Sequence, residues 1–210
     1  MDSEAVYSAA VRQIEEQFEL GSGFLARLRD EDDWSLVIKA HALVEAAVSQ
    51  LLTHHVGDQR LTKVFDKLPL SDPQTGRLAF LKALNLLPEG PRRFLQNFST
   101  LRNRLVHNVH NVRFRFVDDL ATMDTNQRRA FADWVCWYAE PKARPAALEN
   151  PRAHLFLAAM LFVSVSLYAT NQAKYRHERI DRALDVLEAS GLEAEDEEPN
   201  EEEEPNDGDS

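Results

Sequence analysis

The stretch "DDWSLVIKAHALVEAAVSQLLTHH", Asp32 to His55, constrains the fold more than any other. Leu36, Ala40, Leu43, Ala47 and Leu51 recur at helical spacing, and Val37, Val44, Val48 and Leu52 form a second stripe beside them. A helix apolar over so wide an arc needs neighbours on several sides, which a helical bundle supplies. Along the same helix His41, Glu45 and Ser49 make a polar line at i, i+4 spacing. They either face solvent or line a polar pocket beneath another element.

Helical periodicity continues through the chain. "SEAVYSAAVRQIEEQFE" reads as a first helix, capped by Ser3 and stopped near "GSG" at Gly21–Gly23. Two shorter helices are expected over 58–68 and 75–87, with "PLSDPQTG" as the loop between. A further helix has Pro91 in its first turn and buries Phe94, Phe98, Leu101 and Leu105. "NVRFRFV" alternates Val112, Phe114 and Phe116 with Arg113 and Arg115, which predicts an extended segment or short strand. "TNQRRAFADWVCWYAE" is helical, "PKARPAALENP" a loop, and a long last helix starts at Asn150-Pro151 and runs toward Ala189. The expectation is an all-α bundle of about five to seven helices over residues 1–190. The tail, 191–210, reads as disordered on composition.

That tail carries 11 Asp or Glu and no Lys or Arg, so the chain's net charge of −11 resides there and the body is neutral. Within the body the charges are sorted. From Gly90 to Val117 there is no carboxylate but there are six arginines, Arg92, Arg93, Arg102, Arg104, Arg113 and Arg115, together with His107 and His110. Such a stretch suits a phosphate-bearing partner such as RNA. The alternative is that these arginines pair with acids from other helices. The tail either competes with nucleic acid for this segment or only solubilises the chain.

Inside the basic stretch lies "RNRLVH", with Arg102, Asn103 and His107 as R-N-x-x-x-H. Asn103 and His107 fall one turn apart on one helix face, and Arg102 must curl round to join them. An imidazole can take or give a proton near neutral pH, a guanidinium can hold two phosphate oxygens, and an amide can orient a hydroxyl. These are the groups that metal-free RNA cleavage requires. A His and an Arg at a helix C-terminus could instead serve only its orphan carbonyls and dipole.

The motif resembles the signature of the HEPN superfamily, whose active members are metal-independent RNases. The resemblance implies an all-helical domain, catalytic roles for Arg102, Asn103 and His107, and a composite site in a homodimer. It also implies a toxin or defence setting with an antitoxin or regulatory partner. RNA contacts are then expected from Arg92, Arg93, Arg104, His110, Arg113 and Arg115. The order of central helix, motif, proline-rich loop and long final helix is also similar to the mannitol operon repressor family. That similarity implies a non-catalytic regulator or interaction module. A scaffold that binds a protein through the acidic tail is a third reading.

No cofactor is expected, and no metal: neither His54-His55 nor His107/His110 has Cys or carboxylate partners at ligand spacing. Cys136, the single cysteine, sits among Trp134, Trp137 and Tyr138 and reads as core in a reducing cytoplasm. The most apolar run, Leu155 to Ala169, is 15 residues long, shorter than a comfortable bilayer span, so no membrane partner is expected.

Overall fold

The computed structural model describes residues 3–72 and 74–189, with side chains from Ser8 onward. The side chain of the expected Ser3 cap and the acidic tail fall outside these. Among the described residues there is no strand, and the architecture is all-α. Ten α-helices appear in order: α1 (Ser3–Gln17), α2 (Phe24–Asp30), α3 (Asp33–Val56), α4 (Thr62–Phe65), α5 (Arg77–Ala83), α6 (Glu89–Val106), α7 (Phe116–Thr122), α8 (Thr125–Val135), α9 (Arg144–Glu149) and α10 (Pro151–Ala189). The chain divides into two compact units, Met1–Lys174 and Tyr175–Ser210, so the boundary falls within α10.

In the first unit α3 occupies the centre. Both of its apolar stripes are buried, and α2, α4, α5 and α6 pack on it from different sides. Asp32 caps it by accepting from Ser35 N at 2.9 Å, and Gly57 closes it in the left-handed conformation (φ 81°), a geometry a residue without Cβ adopts freely. On α6, Phe94, Phe98, Leu101 and Leu105 are buried, as their spacing predicts. Phe94 stands 5.2 Å from Phe98 and 5.9 Å from Phe162 of α10, which joins these helices through one aromatic cluster. α3 and α10 are each long and apolar enough to cross a bilayer. However, 67% and 56% of their apolar windows are buried inside the fold, as in a core helix.

The helix number exceeds the expected five to seven because α2, α7 and α9 form where no helix was expected, and some expected helices are shorter. Over 58–68, the Asp58 carboxylate accepts from Arg60 N and starts a 3₁₀ turn at Gln59–Leu61, leaving α4 only four residues. The helix expected over 75–87 is reduced to α5. α2 was hidden in the sequence between "GSG" and Asp30. The buried Glu15 carboxylate accepts from Gly23 N (3.1 Å) and Leu25 N (2.9 Å), capping α2 across the turn. α9 forms inside the proline-rich loop, with Pro145 in its first turn, where a missing N–H costs nothing.

The extended segment or strand expected at 111–117 is reduced to Phe114 and Arg115, with ψ of 133° at each, and no strand forms there. Val109–Arg113 is a 3₁₀ turn, and α7 begins at Phe116. No neighbouring strand offers a ladder, and side chains satisfy the backbone instead. Asn108 Oδ1 accepts from His110 N, and Asn111 Nδ2 donates to Arg104 O at 2.8 Å. Asp33 then anchors the segment. Its carboxylate accepts from Phe116 N at 2.8 Å and from Arg152 of α10 at 2.6 Å, fixing the start of α7 against α3 and α10.

Candidate functional site

Arg102 and Asn103 occupy the last two turns of α6, and His107 is the residue at which the helix ends (φ −81°, ψ −4°). Arg102 Nη1 donates to Asn103 Oδ1 at 3.0 Å, so the guanidinium does curl toward the Asn103 side and the amide is oriented. His107 is exposed. Among the described residues its imidazole has no hydrogen bond or ion pair, and neither Arg102 nor His107 meets a carboxylate at ion-pair distance.

The alternative role for these groups, capping the helix, is filled by others. Asn111 Nδ2 donates to Arg104 O, and Trp34 Nε1 to Leu105 O at 3.4 Å. Two of the terminal carbonyls of α6, those of Arg104 and Leu105, thus have partners that are neither His107 nor Arg102.

The other basic residues are distributed unevenly. His110 and Arg113 are exposed on the 3₁₀ turn that packs against the α6 terminus, so they lie beside the motif. Arg115 is exposed and reaches Asp118 only at 4.0 Å. Arg104 is engaged: both of its terminal nitrogens donate to Asp119 at 2.7 Å, and it lies 5.8 Å over the Phe114 ring. Hydrogen bonding to Asp119 pushes its pKa above the ordinary value. Arg92 and Arg93 sit at the other end of α6, on the order of 20 Å from His107 at 1.5 Å per residue, and are not part of the same cluster.

Beneath the motif lies a polar network that involves the line on α3. His41 and Ser49 are buried rather than solvent-facing, and Glu45 is half-buried. His41 Nε2 lies 3.0 Å from Ser99 Oγ on α6, and its Nδ1 lies 3.6 Å from Glu45 Oε2. Arg77 of α5, itself buried, donates to Glu45 Oε1 at 2.9 Å, to Glu45 O at 3.0 Å and to Ser49 Oγ at 2.8 Å. Burial raises the Glu45 carboxyl pKa, but hydrogen bonding and charge from His41, with the charges of Arg77 and Arg102, hold it below the ordinary value. Arg102 therefore acts on the network as well as on the surface. Burial lowers the Arg77 pKa despite the Glu45 and Asp66 charges. The polar line was visible in the sequence. Arg77 and Ser99 were not, since each belongs to another helix and carries no pattern of its own.

Among the described residues no group of three or more His, Cys, Asp or Glu is placed to hold a metal ion. Cys136 is buried, and burial pushes its thiol pKa up, which disfavours the nucleophilic thiolate. Compared with protein families, curated proteins and solved structures, the chain matches none of them.

Proposed function

We propose that the protein is a metal-independent endoribonuclease of the HEPN type, acting in the cytoplasm in a toxin or defence setting. One observation carries the reading: His107, Asn103 and Arg102 gather at a helix end where the Arg104 and Leu105 carbonyls are capped by other residues. Among the described residues the His107 imidazole thus remains uncommitted to structure, and Arg102 and Asn103 bond each other. In the reaction the ribose 2′-oxygen attacks the adjacent phosphorus, the bond to the 5′-oxygen breaks, and a 2′,3′-cyclic phosphate forms. His107 takes the 2′-hydroxyl proton or returns one to the leaving 5′-oxygen. Arg102 holds the phosphoryl oxygens as charge builds on them, and Asn103 orients the hydroxyl or the phosphate. His110 and Arg113 extend the anion-binding surface. One imidazole serves one of the two proton transfers, so a two-fold dimer that pairs two motifs supplies the second.

The test is cleavage of single-stranded RNA in EDTA by the purified protein. His107→Ala and Arg102→Ala should each lower the rate by at least a hundredfold, the scale of a lost acid–base or charge-stabilising group, with unchanged helical circular dichroism. Cleavage that requires a divalent ion, or that survives His107→Ala, contradicts the reading.

A second reading, a non-catalytic regulator or interaction module resembling the mannitol operon repressor family, has its own observation. Val106, Val109 and Val112 are 38%, 75% and 49% exposed beside the motif, an apolar surface suited to a protein partner. Absence of RNA cleavage, with a partner protein bound through these valines, would favour it.

A further inference from the structure

Between α6, α7 and α8 lies an open cavity of about 500 Å³, a size suited to a small planar ligand. Its apolar lining includes Leu101, Phe131 and Trp134. The two aromatic rings stand edge to face, 5.2 Å apart at 79°, so a flat ligand can stack on one while its edge meets the other.

The polar groups around it include three oxygens that need donors. Asn97 gives one amide N–H to Arg93 O, which leaves its second N–H to donate and its Oδ1 to accept. The hydroxyl protons of Thr100 and Thr122 are given to Gln96 O and Asp119 O, so their oxygens offer only lone pairs. Gln127 is the reverse, its Oε1 held by Asp124 N and its amide N–H₂ left to donate. One wall is the Arg104–Asp119 pair. A flat ligand that meets these three acceptors carries an exocyclic amine. Adenine, cytosine and guanine do, and uracil does not.

The cavity's position links it to the motif. Asn97, Thr100, Leu101 and Arg104 share one stripe of α6, and His107 follows Arg104 by less than a turn.

We propose that this cavity binds an amino-bearing nucleobase, adenine, cytosine or guanine, of an RNA strand whose phosphate lies at Arg102 and His107. The strand's placement rests on the RNA reading of the motif, whereas the base pocket rests on its own lining. Calorimetry on the full chain with free adenosine, cytidine and uridine, and with a 2′-O-methyl tetra-adenylate that cannot be cleaved, tests both.

Adenosine and cytidine should bind at least tenfold more tightly than uridine. Ala130→Phe, from an exposed position on the α8 rim, should weaken adenosine at least tenfold, and Asn97→Ala should weaken it severalfold. Arg102→Ala should weaken the tetra-adenylate at least tenfold and leave adenosine unchanged. No adenosine binding, equal binding of uridine, or indifference to both cavity substitutions overturns the pocket. Tetra-adenylate binding indifferent to Arg102→Ala assigns the pocket to free nucleosides or nucleotides and overturns the strand. None of these readouts requires cleavage. A chain that binds in this pattern but cuts no RNA fails only the ribonuclease reading, and one that cuts RNA but binds no adenosine fails only the pocket.

Discussion

Glu45 shows how a surface motif and a buried network are joined by single residues. Its carboxylate bonds Arg77, faces His41, and is held ionised in part by Arg102. A carboxyl whose folded pKa is depressed stabilises the fold fully above its unfolded value, here 4.5, and loses that contribution as pH falls through the lower folded value. Acid unfolding of the native chain should therefore become steeper below about pH 4.5, and Glu45→Gln should flatten that dependence while lowering stability at neutral pH. An unchanged pH profile of Tm in the variant would remove Glu45 from the network. Arg77→Ala leaves the half-buried Glu45 without its hydrogen-bonded guanidinium and should cost about 3 kcal/mol, the low end for a broken buried pair, in urea denaturation. At this scale the sequence was half legible. His41, Glu45 and Ser49 announced themselves by interrupting an apolar helix, but whether they faced water depended on α5 and α6, which no spacing on α3 encodes. Arg104 read as a free cation because Asp119, its partner, is supplied by tertiary packing from outside the carboxylate-free stretch.

The elements that the sequence specified best are those whose own periodicity is strong: α3, α6 and α10, each with an apolar face that fixes its orientation. The elements missed, α2, α7, α9 and the 3₁₀ turn before α7, are decided by one or two hydrogen bonds or by proline, which a hydrophobic pattern does not register. Caps carry much of this local information. α8 begins with a reciprocal capping box, in which Asp124 Oδ1 accepts from Gln127 N at 2.8 Å and Gln127 Oε1 accepts from Asp124 N at 2.9 Å. Asp124→Ala should lower unfolding free energy by about 1 kcal/mol. It should also free the Gln127 side chain that lines the base pocket, so adenosine binding should weaken along with Tm. A stability loss within error of zero would mean that the cap is replaced by solvent.

Over the whole molecule, the proposed chemistry is incomplete in one copy. Cyclisation moves two protons and the R-N-x-x-x-H motif of each chain holds one imidazole, His107, with His110 read as anion-binding beside it, while Val106, Val109 and Val112 leave apolar surface nearby. A closed homodimer is the commonest way to bury such a face, because each copy presents the same surface to the other. Light scattering at micromolar concentration should give twice the chain mass, and Val109→Asp should return the monomer and abolish cleavage together. A fully active monomer would remove the composite site. The most direct measurement of the central claim is the chemistry of the RNA ends. Mass spectrometry of the fragments produced in EDTA should find 2′,3′-cyclic phosphate on one side of each cut and 5′-hydroxyl on the other, because the attacking group is the ribose 2′-oxygen. Fragments ending in 3′-hydroxyl and 5′-phosphate, the products of attack by water held at a metal centre, would contradict it.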